Sequence, residues 1–150
     1  GKRIKKLEKF FSKDENFYLT YGDGVSNINL KKVYELHIKK KAILTLTAVH
    51  PPARFGELKI RDGNLISFEE KPQLVDGWIN GGFFVINSSI FKNLTNKNVM
   101  LEREPIKKIV KIKKAASYQH NGFWYCMDNL RDKEVLEELI KNKKASWIKK

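Results

Sequence analysis

Cysteine is nearly absent from this 150-residue chain: Cys126 stands alone. One thiol cannot close an internal disulfide, and with no histidine or second cysteine at ligand spacing it offers no zinc site, so the chain fits a reducing cytoplasm. Long apolar runs are missing too. No stretch approaches the roughly 20 continuous apolar residues of a membrane span, and residues 1–9 carry too many charges for a secretory core region. A soluble protein is expected. Acidic residues are scarce, 17 against 30 basic ones, for a net charge of +13 and a pI near 9.8. Arginine is scarcer still, with only five among the basic residues. Base reading favours arginine, and the lysines fall in every segment instead of along one stripe. A solvated surface explains that distribution better than a specific nucleic-acid partner.

What is present suffices for a core, since 41% of residues are hydrophobic and 11% aromatic. Apolar positions at Ile4, Leu7, Phe10 and Phe11 have helical spacing, and Phe17 to Tyr21 reads as a strand. Leu30, Val33, Tyr34 and His37 mark a second helix, with Asn27 or Asn29 available as its N-cap. His37 falls on the apolar face, where a core histidine is the plain reading against a catalytic one. Ala42 to Val49 has the near-continuous apolar character of a buried strand. Leu58 to Ile60 and Leu65 to Phe68 flank Asp62-Gly63 as a hairpin. Trp78 to Ile86 forms a further strand, a helix opens at Pro105 and runs through Ile112, Ala116 to Met127 forms the last strand, and Leu130 to Leu139 a closing helix. The alternation predicts an α/β, mainly parallel, right-handed layered sheet with one inserted antiparallel hairpin. No repeat or linker marks a second domain.

Asp23 is the most informative residue. It follows the strand Phe17 to Tyr21 and lies between Gly22 and Gly24, where open α/β sheets bind phosphates and metals. Asp128 closes a second aromatic run, Phe123 to Met127, 105 residues later. Two carboxylates plus substrate phosphates are what magnesium asks for, so the pair reads as a Mg2+ site; each acid alone would equally suit a turn. Lys71, between Glu70 and Pro72, is a compact charge suited to phosphate, and Glu70 could accept from sugar hydroxyls, with an exposed ion pair as the alternative. Gly56, Asn80 and Gly81 offer backbone or amide contacts to a small polar ligand, or else mark bulges. The aromatics Trp78, Phe83, Phe84, Phe123, Trp124 and Tyr125 could form a stacking platform, although alternation along strands puts most of them in the core. One element is lacking: no glycine-rich phosphate loop precedes Asp23.

The ordered set Tyr21-Gly22-Asp23-Gly24-Val25, Pro51-Pro52, Arg54-Phe55-Gly56, Glu70-Lys71-Pro72 and Trp78 to Val85 resembles the glucose-1-phosphate cytidylyltransferases. Glu104-Pro105, Gly122-Phe123-Trp124, Met127-Asp128, Leu130 to Lys133, Leu136-Glu137 and Lys144-Ala145 with Trp147 continue the likeness over the whole chain. The resemblance implies a sugar-nucleotide pyrophosphorylase with a Rossmann-like α/β fold, helices on both faces of the sheet, here without the N-terminal strands of the full fold. CTP and glucose 1-phosphate would give CDP-glucose and pyrophosphate. Asp23 and Asp128 would hold Mg2+, Lys71 the sugar phosphate, and Gly56, Glu70, Asn80 and Gly81 the sugar. Residues 1–150 would be the C-terminal, sugar-phosphate and metal half of the domain. The family's Gly-Gly-x-Gly-Thr-Arg and Lys-Pro-Lys-Pro elements are absent, so these residues alone are expected not to turn over. A catalytically dead sugar-phosphate-binding remnant is the alternative. Tyr125-Cys126 stands where relatives carry Gln-Pro, and Gln73-Leu74-Val75 where they carry a shorter loop with glycine. No membrane partner and no specific nucleic acid are implied, and assembly into a homo-oligomer stays open.

Overall fold

A computed structural model of the chain describes residues 1–13, 15–52, 57–69, 77–95 and 97–148. Gly56, Glu70 and Lys71 lie outside the described residues, as do Arg54, Phe55, Pro72 and Gln73 to Val75. The chain divides into two compact units, one of residues Gly1–Gly22, Asn29–Thr47 and Asn80–Gln119, the other of Asp23–Ile28, Ala48–Ile79 and His120–Lys150. Among the described residues no helix is long and apolar enough to cross a membrane.

The first unit is organised by a four-stranded sheet in the order β1-β6-β3-β7, with β1 at Asn16–Thr20, β3 at Leu44–Val49, β6 at Ile79–Asn87 and β7 at Ala115–His120. β1 and β6 are antiparallel, in register from Asn16 opposite Asn87 to Thr20 opposite Phe83. At the start of β3, Ile43 donates its N–H to the Lys114 carbonyl and accepts from the Asn87 N–H, both at 2.8 Å. Those bonds join the beginning of β3 to the beginning of β7 and the end of β6. It follows that β1, β3 and β7 share one direction, and that β6 runs the other way between β1 and β3. The α/β class stands, but neighbouring pairs are mostly antiparallel where the sequence pattern predicts a mainly parallel sheet. The reversed strand is the cause, since it arrives from the hairpin insertion and not through a helical crossover.

Leu44, Phe84, Ile86, Ile90, Phe91, Leu94, Leu101 and Ile109 form the core of this unit, each fully buried apolar side chain contributing about 1.5–3 kcal/mol. The expected first helix is short. It forms only at Lys2–Lys5 (α1), followed by a tight turn at Glu8–Phe10. Its single turn carries Lys2, Arg3 and Lys5, with no acid near its start and no side-chain cap. Phe11 is held instead by Phe17 and Phe91, at ring separations of 4.2 and 5.7 Å.

Helix α2, Leu30–Lys40, begins at Asn29, whose side chain accepts the Lys32 N–H at 3.1 Å. It buries Val33 and His37. His37 has no catalytic surroundings: Nδ1 lies 2.9 Å from Thr45 Oγ1 and Nε2 lies 3.2 Å from Asn16 Oδ1. Asn16 Oδ1 also accepts from Asn87 Nδ2 at 2.9 Å, which makes it the acceptor and puts the imidazole proton on Nε2. Burial lowers the His37 pKa below its ordinary value. The unfolded chain therefore takes up this proton more readily, and the stability is present above about pH 6.5 and lost as pH falls through the folded-state value. Urea unfolding at pH 7.5 and pH 5 should show a larger fall in midpoint for the wild type than for His37→Gln; equal falls would contradict the assignment.

Helices α2, α3 (Glu104–Lys111) and α4 (Leu130–Lys141) stop in the same way. A lysine with positive φ follows each: Lys41 at 46°, Lys113 at 56° and Lys143 at 56°. The next N–H reaches back five residues in each case, from Ala42 to His37, Lys114 to Ile109 and Lys144 to Leu139, at 3.2, 3.0 and 2.8 Å. This is the left-handed terminator usually built with glycine.

The second unit contains two small ribbons. β4 (Glu57–Arg61) and β5 (Asn64–Glu69) form the expected hairpin, and Asp62 and Gly63 take φ of 51° and 79°, as a tight two-residue turn requires. β2 (Gly24–Ser26) pairs antiparallel with β8 (Trp124–Cys126), Gly24 opposite Cys126. The predicted continuous strand from Ala116 to Met127 is thus two strands, broken at Asn121-Gly122. A Cβ at Gly122 would sit 2.6 Å from both Asn27 Oδ1 and His120 Cε1, so a larger residue at this break would have to displace those two side chains. Phe123 then stacks on Trp147 at 4.7 Å.

Candidate metal centre

The β2–β8 ladder aims two acids at one place. Asp23 immediately precedes β2 and Asp128 lies two residues beyond β8, and the Met127 N–H donates to the Asp23 carbonyl at 2.8 Å, extending the ladder by one bond. The entry to α4 holds the other side. Asn129 and Asp132 form a capping box, and Asp132 Oδ2 also accepts the Asp128 N–H at 3.0 Å. Tyr125 donates its hydroxyl to Asp132 Oδ1 at 3.3 Å. Both candidate ligands therefore have fixed backbones and exposed carboxylates.

Asp23, Cys126 and Asp128 each offer a ligand atom within 4.8 Å of the others. Ligands of one octahedral magnesium, each about 2.0–2.1 Å from the ion, lie about 3–4 Å apart, so the two carboxylates fit a Mg2+ ion with a modest inward movement. Sequence spacing gives Cys126 no partners for a zinc site, yet the fold places its sulfur beside both acids. Its Sγ donates to Asp128 Oδ1 at 3.3 Å. The thiol pKa is pushed up to about 12, first by burial, then by the bond to Asp128 and the charges of Asp23 and Asp128. A protonated thiol is a poor partner for a hard cation, and the oxygens remain the fitting donors.

Asn80 and Gly81 lie on β6 in the first unit. Gly81 is buried and Asn80 half-buried. The Asn80 side chain is tied down, Oδ1 accepting the Gly82 N–H at 3.0 Å and Nδ2 donating to the Tyr21 hydroxyl at 3.4 Å. Tyr21 in turn donates to Glu102, a contact across 81 residues that no local pattern announces. Gly56, Glu70 and Lys71 cannot be placed, being outside the described residues. Of the aromatic residues, Phe84 is in the core, Trp78 packs on His50 at 3.8 Å, and Phe123 stacks on Trp147.

Solved structures share this architecture. One is HddC from Yersinia pseudotuberculosis, with a TM-score of 0.65 over 93% of this chain and 61% of that one, at 19% identity. Another is a Bacillus anthracis protein described as a glucose-1-phosphate thymidylyltransferase, also at 0.65, covering 98% of this chain and 61% of that one, at 17% identity. At such identities the likeness establishes the fold, a Rossmann-like α/β arrangement. The chain belongs to the nucleotidyl transferase family, whose sequence pattern matches residues 2–140. It is 42% identical over 147 residues to the glucose-1-phosphate cytidylyltransferase of Salmonella typhimurium, covering 98% of this chain. It is also 38% identical over 91 residues to the D-glycero-alpha-D-manno-heptose 1-phosphate guanylyltransferase of Aneurinibacillus thermoaerophilus, 57% of this chain and 39% of that protein. The chain spans 57% of the length of the Salmonella relative.

Proposed function

We propose that the native protein transfers a cytidylyl group from CTP to glucose 1-phosphate, giving CDP-glucose and pyrophosphate. The observation that carries this reading is the convergence of Asp23 and Asp128 from positions 105 residues apart, in a chain 42% identical to a glucose-1-phosphate cytidylyltransferase. In the reaction an oxygen of the sugar phosphate forms a bond to the α-phosphorus of CTP while the bond from that phosphorus to the β-phosphate oxygen breaks and pyrophosphate leaves. A bound Mg2+ supplies neutralisation of the charge that builds on the phosphates. Asp23 and Asp128 hold it. Lys71 pairs with the sugar phosphate, and Gly56, Glu70, Asn80 and Gly81 contact the sugar. No covalent intermediate is needed, because orientation and charge stabilisation account for such transfers.

Residues 1–150 on this reading supply the metal and sugar-phosphate side and need a phosphate-cradling element for turnover. Pyrophosphate release from the native protein, with CTP, GTP, TTP and UTP each offered beside glucose 1-phosphate, tests it. A clear preference for CTP is expected, and none from the isolated 150 residues. A preference for another base would overturn the cytidylyl assignment, while glucose 1-phosphate binding with no turnover of any nucleotide would favour a binding remnant.

A further inference from the structure

The bonds around Asn80 run in one direction. A carboxylate only accepts, so the Tyr21 proton is committed to Glu102, and the Tyr21 oxygen is left to accept from Asn80 Nδ2. At the other end of the amide, Oδ1 takes the Gly82 N–H. Turning the amide over would set its NH2 against the Gly82 N–H, donor against donor, and its oxygen against a hydroxyl whose proton is already engaged. Both ends resist the flip. Tyr21 is itself held: its N–H donates to the Gly82 carbonyl at 2.9 Å, its ring lies 5.4 Å from that of Phe84, and it lies so close over Gly82 that an added Cβ there would come within 2.9 Å of the ring. The amide keeps one N–H and one lone pair beyond these contacts.

We infer that Tyr21 and Glu102 are positioning residues that lock Asn80 in one amide orientation, so that its remaining N–H serves as a fixed donor to an acceptor oxygen of the sugar. This rests on the reading of Asn80 as a sugar contact. Neither residue touches the substrate; each acts through Asn80. Glu102 is exposed, so its substitution tests the relay with little risk to folding, and Tyr21→Phe keeps the ring that packs on Gly82.

The test is steady-state kinetics on the native protein with each substrate varied in turn. Tyr21→Phe and Glu102→Leu should each raise KM for glucose 1-phosphate about tenfold, the loss of one hydrogen bond of about 1–1.5 kcal/mol. KM for the nucleotide and the thermal midpoint should stay unchanged, and Glu102→Gln, which still accepts through Oε1, should largely restore the sugar KM. In an Asn80→Ala background Tyr21→Phe should have no further effect. An Asn80→Ala variant with unchanged sugar KM would remove the sugar-contact reading and this inference with it. A raised sugar KM in Asn80→Ala with no change in Tyr21→Phe and Glu102→Leu would overturn the inference alone. So would equal rises in both KM values.

Discussion

Replacing Asp23 by Asn, or Asp128 by Asn, is expected to lower kcat of the native protein by two to three orders of magnitude while leaving its circular dichroism and thermal midpoint in place. The size follows from the role proposed for the pair. Removing one preorganised electrostatic contact to a transferring group costs about 10²–10³ in rate, and a site with one or two carboxylate ligands has none in reserve. The fold should survive because both side chains are exposed and the ladder and cap bonds at these positions use their backbones, the Met127 N–H to the Asp23 carbonyl and the Asp128 N–H to Asp132, while an amide oxygen at 128 can still accept the Cys126 thiol. Raising Mg2+ should recover part of the lost rate, since an amide oxygen is a weaker ligand but still a ligand. Activity within threefold of wild type for both variants would show that the cluster is not the metal centre.

The second large effect is on stability. Gly82→Ala should destabilise the protein by roughly 2–5 kcal/mol, combining a left-handed penalty of about 1–2 kcal/mol with overpacking of about 1–3 kcal/mol. Gly82 has φ of 77°, and the new methyl would meet Tyr21 Cδ2, Cγ and Cβ at 2.9, 3.2 and 3.3 Å. These atoms are close to the Tyr21 backbone, which is bonded to the Gly82 carbonyl, so the ring has no easy retreat. Urea midpoints at constant m-value measure the loss. A change under 0.5 kcal/mol would mean that the Tyr21 ring can move away, and would weaken the case for its immobility.

The two acids were legible in the sequence because each has a local signature, a strand-like run ending at an aspartate, in one case between glycines. The strands themselves were legible from apolar content. Their directions were not, because the period of side chains along a strand is the same whichever way it runs; the reversal of β6 appears only in its register against β1. β2 was missed because three residues carry no periodicity and are held as a strand only by β8. The Tyr21–Glu102–Asn80 relay spans residues 21 to 102 and leaves no trace in any window. Cys126 was set aside by spacing rules that look for cysteine and histidine partners, whereas its neighbours in space are carboxylates.

Helix ends were hard to read for a different reason, and it bears on the charge of the whole molecule. At all three left-handed terminators the chain uses lysine, a residue that gains nothing from that backbone angle and would be bettered there by glycine. A chain selected for gripping a polyanion would concentrate its cations on one surface and keep its corners economical. Here ammonium groups turn up even where they are conformationally awkward, at chain corners in both compact units. The positive charge is thus dispersed along the chain, and each of these three corners would gain stability from glycine.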